Sequence, residues 1–174
     1  MIQIKINDRV YGEIKINEPI LLELINSPSI QRLKKINQLG LPQEYFQYPA
    51  FSRFEHSIGV MFLLKKMGAN LKEQVAGLLH DASHLAFSHL ADWVFGDPGK
   101  EDLQDKLHEN IIKKPEIRDI LEKYNLNHEE ISNVHNFLLL EKPAPSLCAD
   151  RIDYTLREVA ISIDIEKAKF CFNN

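Results

Sequence analysis

Thirteen residues, His80 to Asp92 (HDASHLAFSHLAD), constrain this chain more than any other stretch, because they set three histidines and two aspartates into an otherwise apolar segment. Between Leu71 and Phe95 there is no proline and no glycine beyond Gly77, which predicts one continuous helix. At about 100° per residue, His80, Asp81, His84, Ser88 and Asp92 then share an arc of about 120°, with His89 a further 60° round. Val75, Leu79, Ala86, Leu90 and Trp93 occupy the opposite, packing side. Imidazoles and carboxylates this dense are costly to bury unless something satisfies them, and a divalent metal satisfies both at once.

The rest of the chain narrows the class. At 174 residues it predicts a single domain, 1–174, with enough length for a sizeable core. A hydrophobic share of 44% and a charged share of 26% describe an ordinary globular protein. The N-terminal MIQIKINDRV has no apolar core of a leader, and no apolar run approaches the roughly 20 residues of a spanning helix. The expectation is a cytoplasmic protein with no membrane partner. A net charge of −4 argues against a nucleic-acid-tracking surface but allows a small phosphorylated substrate. Cys148 and Cys171 fit no metal or disulfide spacing, and both read as reduced and structural.

Residues 1–18 alternate as a β-hairpin, and 27–162 read as a helical core, so the fold class is mainly all-α. Ser27-Pro28 predicts a helix start, and Ile30, Leu33, Ile36 and Leu39 carry it to Gly40, with Arg32, Lys34 and Lys35 on its solvated face. A loop with four aromatics (Tyr45, Phe46, Tyr48, Phe51) follows. Further helices are expected from Arg53 to about Gly68, from an Asn70–Glu73 capping box up to a stop at Gly96 to Gly99, and over 103–113. After Pro115 come a helix to about Tyr124, one capped by Asn127 that carries His135, and a last one over 146–162. His128 and His135 read as structural or surface residues. The last helix places Asp150 and Tyr154 on one face and pairs Asp153 with Arg157 on a neighbouring one.

A metal needs more ligands than His80, Asp81 and His84 offer from one helix, and RFEHSIGV (53–60) and CADRIDYTLRE (148–158) are the contexts that can supply them. The order His56…His80-Asp81…Asp150, with INDRVYGEIKIN, QRLKKINQLG, RFEHSIGV, HDASHLAFSH, LHEN and ADRIDY in sequence, resembles the HD-domain metal-dependent phosphohydrolases. The words are most similar to the deoxynucleoside triphosphate triphosphohydrolase branch. That resemblance implies an HD-domain helical bundle in which His56, His80, Asp81 and Asp150 ligate one divalent ion of Mn, Fe, Zn, Ni or Mg. It implies His89 as general acid, Asp92 and His108 orienting it, and His84 on phosphate. Gln38 and Leu39 fall at sugar-contacting positions, Arg53 and Arg151 at phosphate-binding ones, and Tyr154 and Glu158 along the nucleoside pocket. The implied substrate is a nucleotide, most simply a deoxynucleoside triphosphate, and a homo-oligomer is possible. Alternatives are another phosphate ester, or a metal-stabilised regulatory or interaction module without turnover. One departure bears on geometry. The family's usual glycines and proline are missing from ASHLAF (82–87), which predicts a helix that runs straight through His84 and His89.

Overall fold

The structure is a computed structural model that describes residues 3–96 and 103–174, apart from the side chains of His89, Asp92 and Asp105. Strands β1 (Ile4–Asp8) and β2 (Gly12–Ile16) pair antiparallel with Ile4 opposite Ile16 and Ile6 opposite Ile14, which turns the alternating isoleucines onto the core. Gly12, at φ +74°, closes the hairpin in a conformation that favours glycine. There follow α1 (Pro19–Ile25), α2 (Pro28–Gln31), α3 (Arg53–Lys66), α4 (Leu71–Leu79), α5 (Asp92–Phe95), α6 (Leu103–Ile112), α7 (Pro115–Lys123), α8 (His128–Ser132), α9 (Ala149–Ser162) and α10 (Ile165–Asn173). The mainly helical class with an N-terminal hairpin is thus as expected. Among the described residues no helix is long and apolar enough to cross a membrane.

Helix α3 is the centre of the bundle, and it is buried on almost every side, from Arg53 and Phe54 through His56 to Leu64. An all-round buried helix needs neighbours on all faces. Helices α4 and α9 pack against it, and the hairpin's Tyr11 stacks on its Phe62 at a ring separation of 5.5 Å. Its start is fixed by a reciprocal capping box in which the Ser52 hydroxyl accepts from Glu55 N and Glu55 accepts from Ser52 N. The Asn70–Glu73 box is only half made. Asn70 caps Glu73 N, but the Glu73 carboxylate instead accepts from Leu139 N and Leu140 N at 2.8 and 3.2 Å, pinning the loop that leads to α9.

Four expectations fail, the first two for tertiary reasons. The helix expected to run from Leu71 to Phe95 ends at Leu79, with His80 as its C-cap, then passes through turns and a 3-10 segment (88–91) into the four-residue α5. The carbonyls that a continuous helix would satisfy internally are taken by side chains from elsewhere. Arg32 donates to His84 O at 2.8 Å and to Ala82 O, and Gln104 donates to His80 O at 2.7 Å. Arg32 is therefore a structural clamp rather than part of a solvated face. The unwinding also turns Trp93, 71% exposed, away from the core that the helical spacing assigned to it. Second, the helix expected to reach Gly40 stops after Lys35, because Ile36 to Gln38 go extended and pair with Phe51 to Arg53. Third, the Ser27 hydroxyl donates to Leu24 O instead of capping α2. Fourth, His135 lies in a 3-10 turn after α8 rather than within a helix. Helices α1 and α10 were not anticipated, and the expected stop at Asp97 to Gly99 lies outside the described residues.

Candidate metal centre

Three elements bring four ligand candidates together. Helix α3 supplies His56, the C-cap of α4 supplies His80 and the first turn beyond it Asp81, and the first turn of α9 supplies Asp150. The His56 and His80 Nε2 atoms lie 3.2 Å apart. Asp150 Oδ1 is 2.9 Å from His56 Nε2 and 3.5 Å from His80 Nε2, while Asp81 oxygens lie 3.8 and 3.5 Å from the same two nitrogens. Ligands bound to one ion at roughly 2.0–2.2 Å sit about 3–3.5 Å from one another, so the spacing of His56, His80 and Asp81 suits a shared cation, with Asp150 beside the two imidazoles.

The chemistry of the donor set agrees. His56 Nδ1 is 2.7 Å from the Asp153 carboxylate, and His80 Nδ1 donates to Gly77 O at 2.7 Å, so both rings are fixed by their far nitrogens and present Nε2 inward. Two imidazole lone pairs and two carboxylates facing one point repel each other unless a proton or a metal lies between them. For His56, burial opposes the charged form, but the hydrogen bonds it donates to Asp150 and Asp153 outweigh it and hold its pKa up to about 10. Burial likewise disfavours the charge on Asp81, yet Arg53, His80 and His84 keep it well below the usual carboxylate range. Asp150 is also depressed, its burial outweighed by hydrogen bonds to His56 and His80.

A pH dependence with two opposite signs follows. His56 is raised above its unfolded value, so in metal-free protein its proton stabilises the fold fully below about pH 6.5. That contribution fades as pH rises through about 10. Metal must displace the same proton, so its affinity should climb with pH by up to about tenfold per unit per proton released. Melting curves of metal-stripped protein between neutral pH and pH 10.5, beside metal titrations at pH 6.5 and 8.5, check both signs. An affinity that does not change with pH would refute the assignment of His56.

Arg53, 2% exposed, lies directly behind Asp81. Its guanidinium donates to Asp81 Oδ2 at 2.6 Å, to Ser88 Oγ at 2.8 Å and to Gln38 O at 3.3 Å. It lines the cleft but is engaged at every nitrogen, and it fixes the orientation of the Asp81 carboxylate. The cleft, of ≈280 Å³, is walled by Gln38, Arg53, His84, Gln104, His135, Glu141 and Tyr154 around the ligand group. His84 is buried with Nε2 at 3.3 Å from Asp81 Oδ1. Gln38 Oε1 is buried and has no hydrogen-bond partner among the described residues, an acceptor left for something in the cleft.

The remaining candidates are distributed as follows. Leu39 and Glu158 line a neighbouring hollow of ≈220 Å³ with Phe46, Tyr48 and Ile161. Arg151 does not line the cleft; it donates to Ser146 O and Lys142 O and approaches Glu141 at 3.6 Å, tying down the loop before α9. His108 is buried in an adjoining hollow of ≈250 Å³ that shares Gln104, Val134 and His135 with the cleft. Among the described residues neither of its ring nitrogens has a partner, and burial lowers its pKa to about 4, so it is a neutral imidazole. The side chains of His89 and Asp92 lie outside the described ones. Sequence reasoning missed Gln104 and Glu141 in the cleft wall and set His135 aside, because none of them belongs to a recognisable word.

The HD domain family model matches residues 53–158. The chain is 47% identical over 156 residues to the uncharacterised protein YdhJ of Bacillus subtilis, covering 89% of this chain and 47% of that one. It is 39% identical over 155 residues to the metal-dependent phosphohydrolase cns2 of Cordyceps militaris, covering 89% and 45%. To the chicken (Gallus gallus) deoxynucleoside triphosphate triphosphohydrolase SAMHD1 it is 36% identical over 148 residues, covering 71% and 24%. A crystal structure of a hypothetical protein from Aquifex aeolicus superposes with a TM-score of 0.70 at 28% identity, covering 91% of this chain and 46% of that one. The chain thus spans about half the length of the first two relatives. By the family match over 53–158, a span that contains His56, His80, Asp81 and Asp150, the chain belongs to the HD-domain family.

Proposed function

We propose that the protein hydrolyses a phosphoanhydride or phosphoester bond of a nucleotide, with a deoxynucleoside triphosphate as the first candidate. The observation that carries this reading is the approach of His56, His80, Asp81 and Asp150 to one another beside a cleft that His80, Asp81 and Asp150 line together with His84, Gln38 and Tyr154. A relative named as a deoxynucleoside triphosphate triphosphohydrolase supports the substrate class. When bound, the divalent ion supplies Lewis-acid polarisation of a phosphoryl oxygen and a more acidic water. The chain's own residues do the rest. Arg53 and Asp153 hold two of the ligands in place, while His84, beside Asp81, faces the phosphate. His89, with Asp92 and His108, is assigned the proton for the leaving oxygen. Arg151, which is occupied with the loop carbonyls, is not needed for this role.

The cleft lies at the low end of the roughly 300–1,000 Å³ typical of ligand sites. It suits the phosphate and sugar portions. The hollow bearing Leu39 and Glu158 begins one residue beyond Gln38 and one helical turn beyond Tyr154, and it would continue the site toward the base. In this arrangement the Gln38 Oε1 acceptor takes a sugar hydroxyl. Gln38→Ala should raise KM for a deoxynucleotide by roughly 5- to 30-fold, the worth of one hydrogen bond of about 1–2 kcal/mol, while metal content stays unchanged. Steady-state kinetics with metal analysis checks it.

The whole reading is tested by incubating metal-supplemented protein with deoxynucleoside and ribonucleoside triphosphates, monophosphates and simple phosphate esters, and identifying products by phosphorus NMR. Tripolyphosphate released from a deoxynucleotide is the expected result. Orthophosphate from monophosphates alone would move the substrate to another ester, and no turnover by fully metallated protein would leave a binding module.

A further inference from the structure

The ring of His56 is held not only by its own bundle but by the N-terminal hairpin, 45 residues earlier in the chain at Tyr11. Asp153, wholly buried on α9, grips His56 Nδ1 with Oδ2 at 2.7 Å. The same carboxylate is gripped in turn. Tyr11 Oη donates to its Oδ1 at 2.7 Å, and Arg157 Nε donates to its Oδ2 at 2.8 Å. Arg157, also wholly buried, donates from its Nη2 to Asp8 Oδ2 at 2.8 Å. Asp8 completes the hairpin end by accepting from Val10 N and Tyr11 N at 2.8 and 3.0 Å. The tyrosine ring is clamped between Phe62 of α3 and Phe172 of α10, with centroids 5.5 and 4.8 Å away. A carboxylate held from three sides has no freedom to swing, so the ring it orients has none either.

We propose that Tyr11 and Asp8 are positioning residues of the metal centre: through Asp153 and Arg157 they fix the direction in which His56 presents Nε2. The proposal rests on reading the His56, His80, Asp81 and Asp150 cluster as a metal site. It assigns the hairpin a role in metal selectivity and affinity that its distance in sequence from any ligand conceals. Neither residue touches the cleft, so substitution leaves the substrate contacts in place.

The test uses the full chain, stripped of metal and titrated with Mn²⁺ by calorimetry and with Co²⁺ followed by its visible ligand-field absorption. Three variants are compared with wild type: Tyr11→Phe, Asp8→Asn and Lys5→Ala, the last an exposed hairpin lysine outside the network. Tyr11→Phe keeps the stacked ring and loses only the hydroxyl. It should stay folded by circular dichroism, bind Mn²⁺ roughly 10- to 100-fold more weakly, and shift the Co²⁺ spectrum, as loss of an outer partner does at histidine-ligated metals. Asp8→Asn should move both readouts in the same direction, and Lys5→Ala neither. If wild type binds Mn²⁺ and both network variants match it in affinity and spectrum, the proposal falls alone. An equal loss in Lys5→Ala would also overturn it, since general hairpin damage would then be the cause. If wild type takes up neither ion, the metal-site reading fails and takes the proposal with it.

Discussion

Replacing Asp81 with alanine is expected to empty the metal centre and to destabilise even the metal-free protein by about 3–5 kcal/mol, the usual cost of removing one partner of a buried ion pair. Two separate functions are lost at once. Asp81 Oδ1 faces His80 and His84 at 3.5 and 3.3 Å among the candidate ligands, and Oδ2 receives the Arg53 guanidinium at 2.6 Å. Without that carboxylate, a guanidinium only 2% exposed keeps Ser88 Oγ and the Gln38 carbonyl but no counter-charge. Asp81→Asn separates the two effects. The amide oxygen can still accept from Arg53, so the stability loss should be smaller, yet metal should still be lost because the anionic ligand is gone. Metal stoichiometry by mass spectrometry and denaturant unfolding of the stripped proteins read the two quantities independently. Full metal content in Asp81→Ala would refute the ligand assignment.

Gly59→Ala should be almost as damaging, although it adds a single methyl group and replaces glycine by the best helix former. A Cβ at position 59 would overlap the Asp153 carboxylate and the Arg157 guanidinium. Those groups cannot retreat, because Asp153 is tied to His56 and Tyr11, and Arg157 to Asp8. The intrinsic helix preference of alanine, about 1 kcal/mol, works in its favour. Overpacking against a fixed ionic network should exceed it, with a net loss of about 1–3 kcal/mol and a weaker metal centre as α3 and α9 are pushed apart. Gly77→Ala is the internal comparison. Its new Cβ would meet the tip of Leu64, an apolar side chain with rotamers to spare, so it should cost less and leave metal affinity nearly unchanged. Melting temperatures and Mn²⁺ titrations of the two alanine variants decide it; equal effects would show that the Asp153–Arg157 pair yields more easily than its hydrogen bonds indicate.

What the sequence made legible is what is local or carried by whole words. The alternating isoleucines of the hairpin, the proline starts of α2 and α7, and the adjacent His80-Asp81 pair all depend on neighbours within a few positions. The helix break after Leu79 was not legible, because Arg32 and Gln104, which replace its internal hydrogen bonds, lie 24 to 52 residues away from the carbonyls they hold. Periodicity through residues 80–92 suggests a turn-by-turn array of functional groups; the structure instead gathers His80, Asp81 and His84 in turns that tertiary donors help to hold. Some signals were present and unread. Ser52-Arg53-Phe54-Glu55 is a capping-box pattern, and Pro19 before ILLELI marks α1 as plainly as Pro28 marks α2. The pairing of Asp153 with Arg157 was visible at helical spacing, but its partners Asp8 and Tyr11 were not, since nothing in a strand end announces a hydroxyl 142 residues from its acceptor.

That separation has a kinetic side. Tyr11 meets Asp153 across 142 residues, Arg157 meets Asp8 across 149, and His56 meets Asp150 across 94. Such closures are entropically expensive and are completed late, after the local helices have formed. On the ribosome, where the N-terminal part emerges first, α3 and α4 can pack while His56 and His80 still lack their carboxylate from α9. The centre should therefore stay incompetent for metal until α9 has docked against the hairpin. Acquisition of the ion would then mark the moment at which the two distant parts of the chain have found each other.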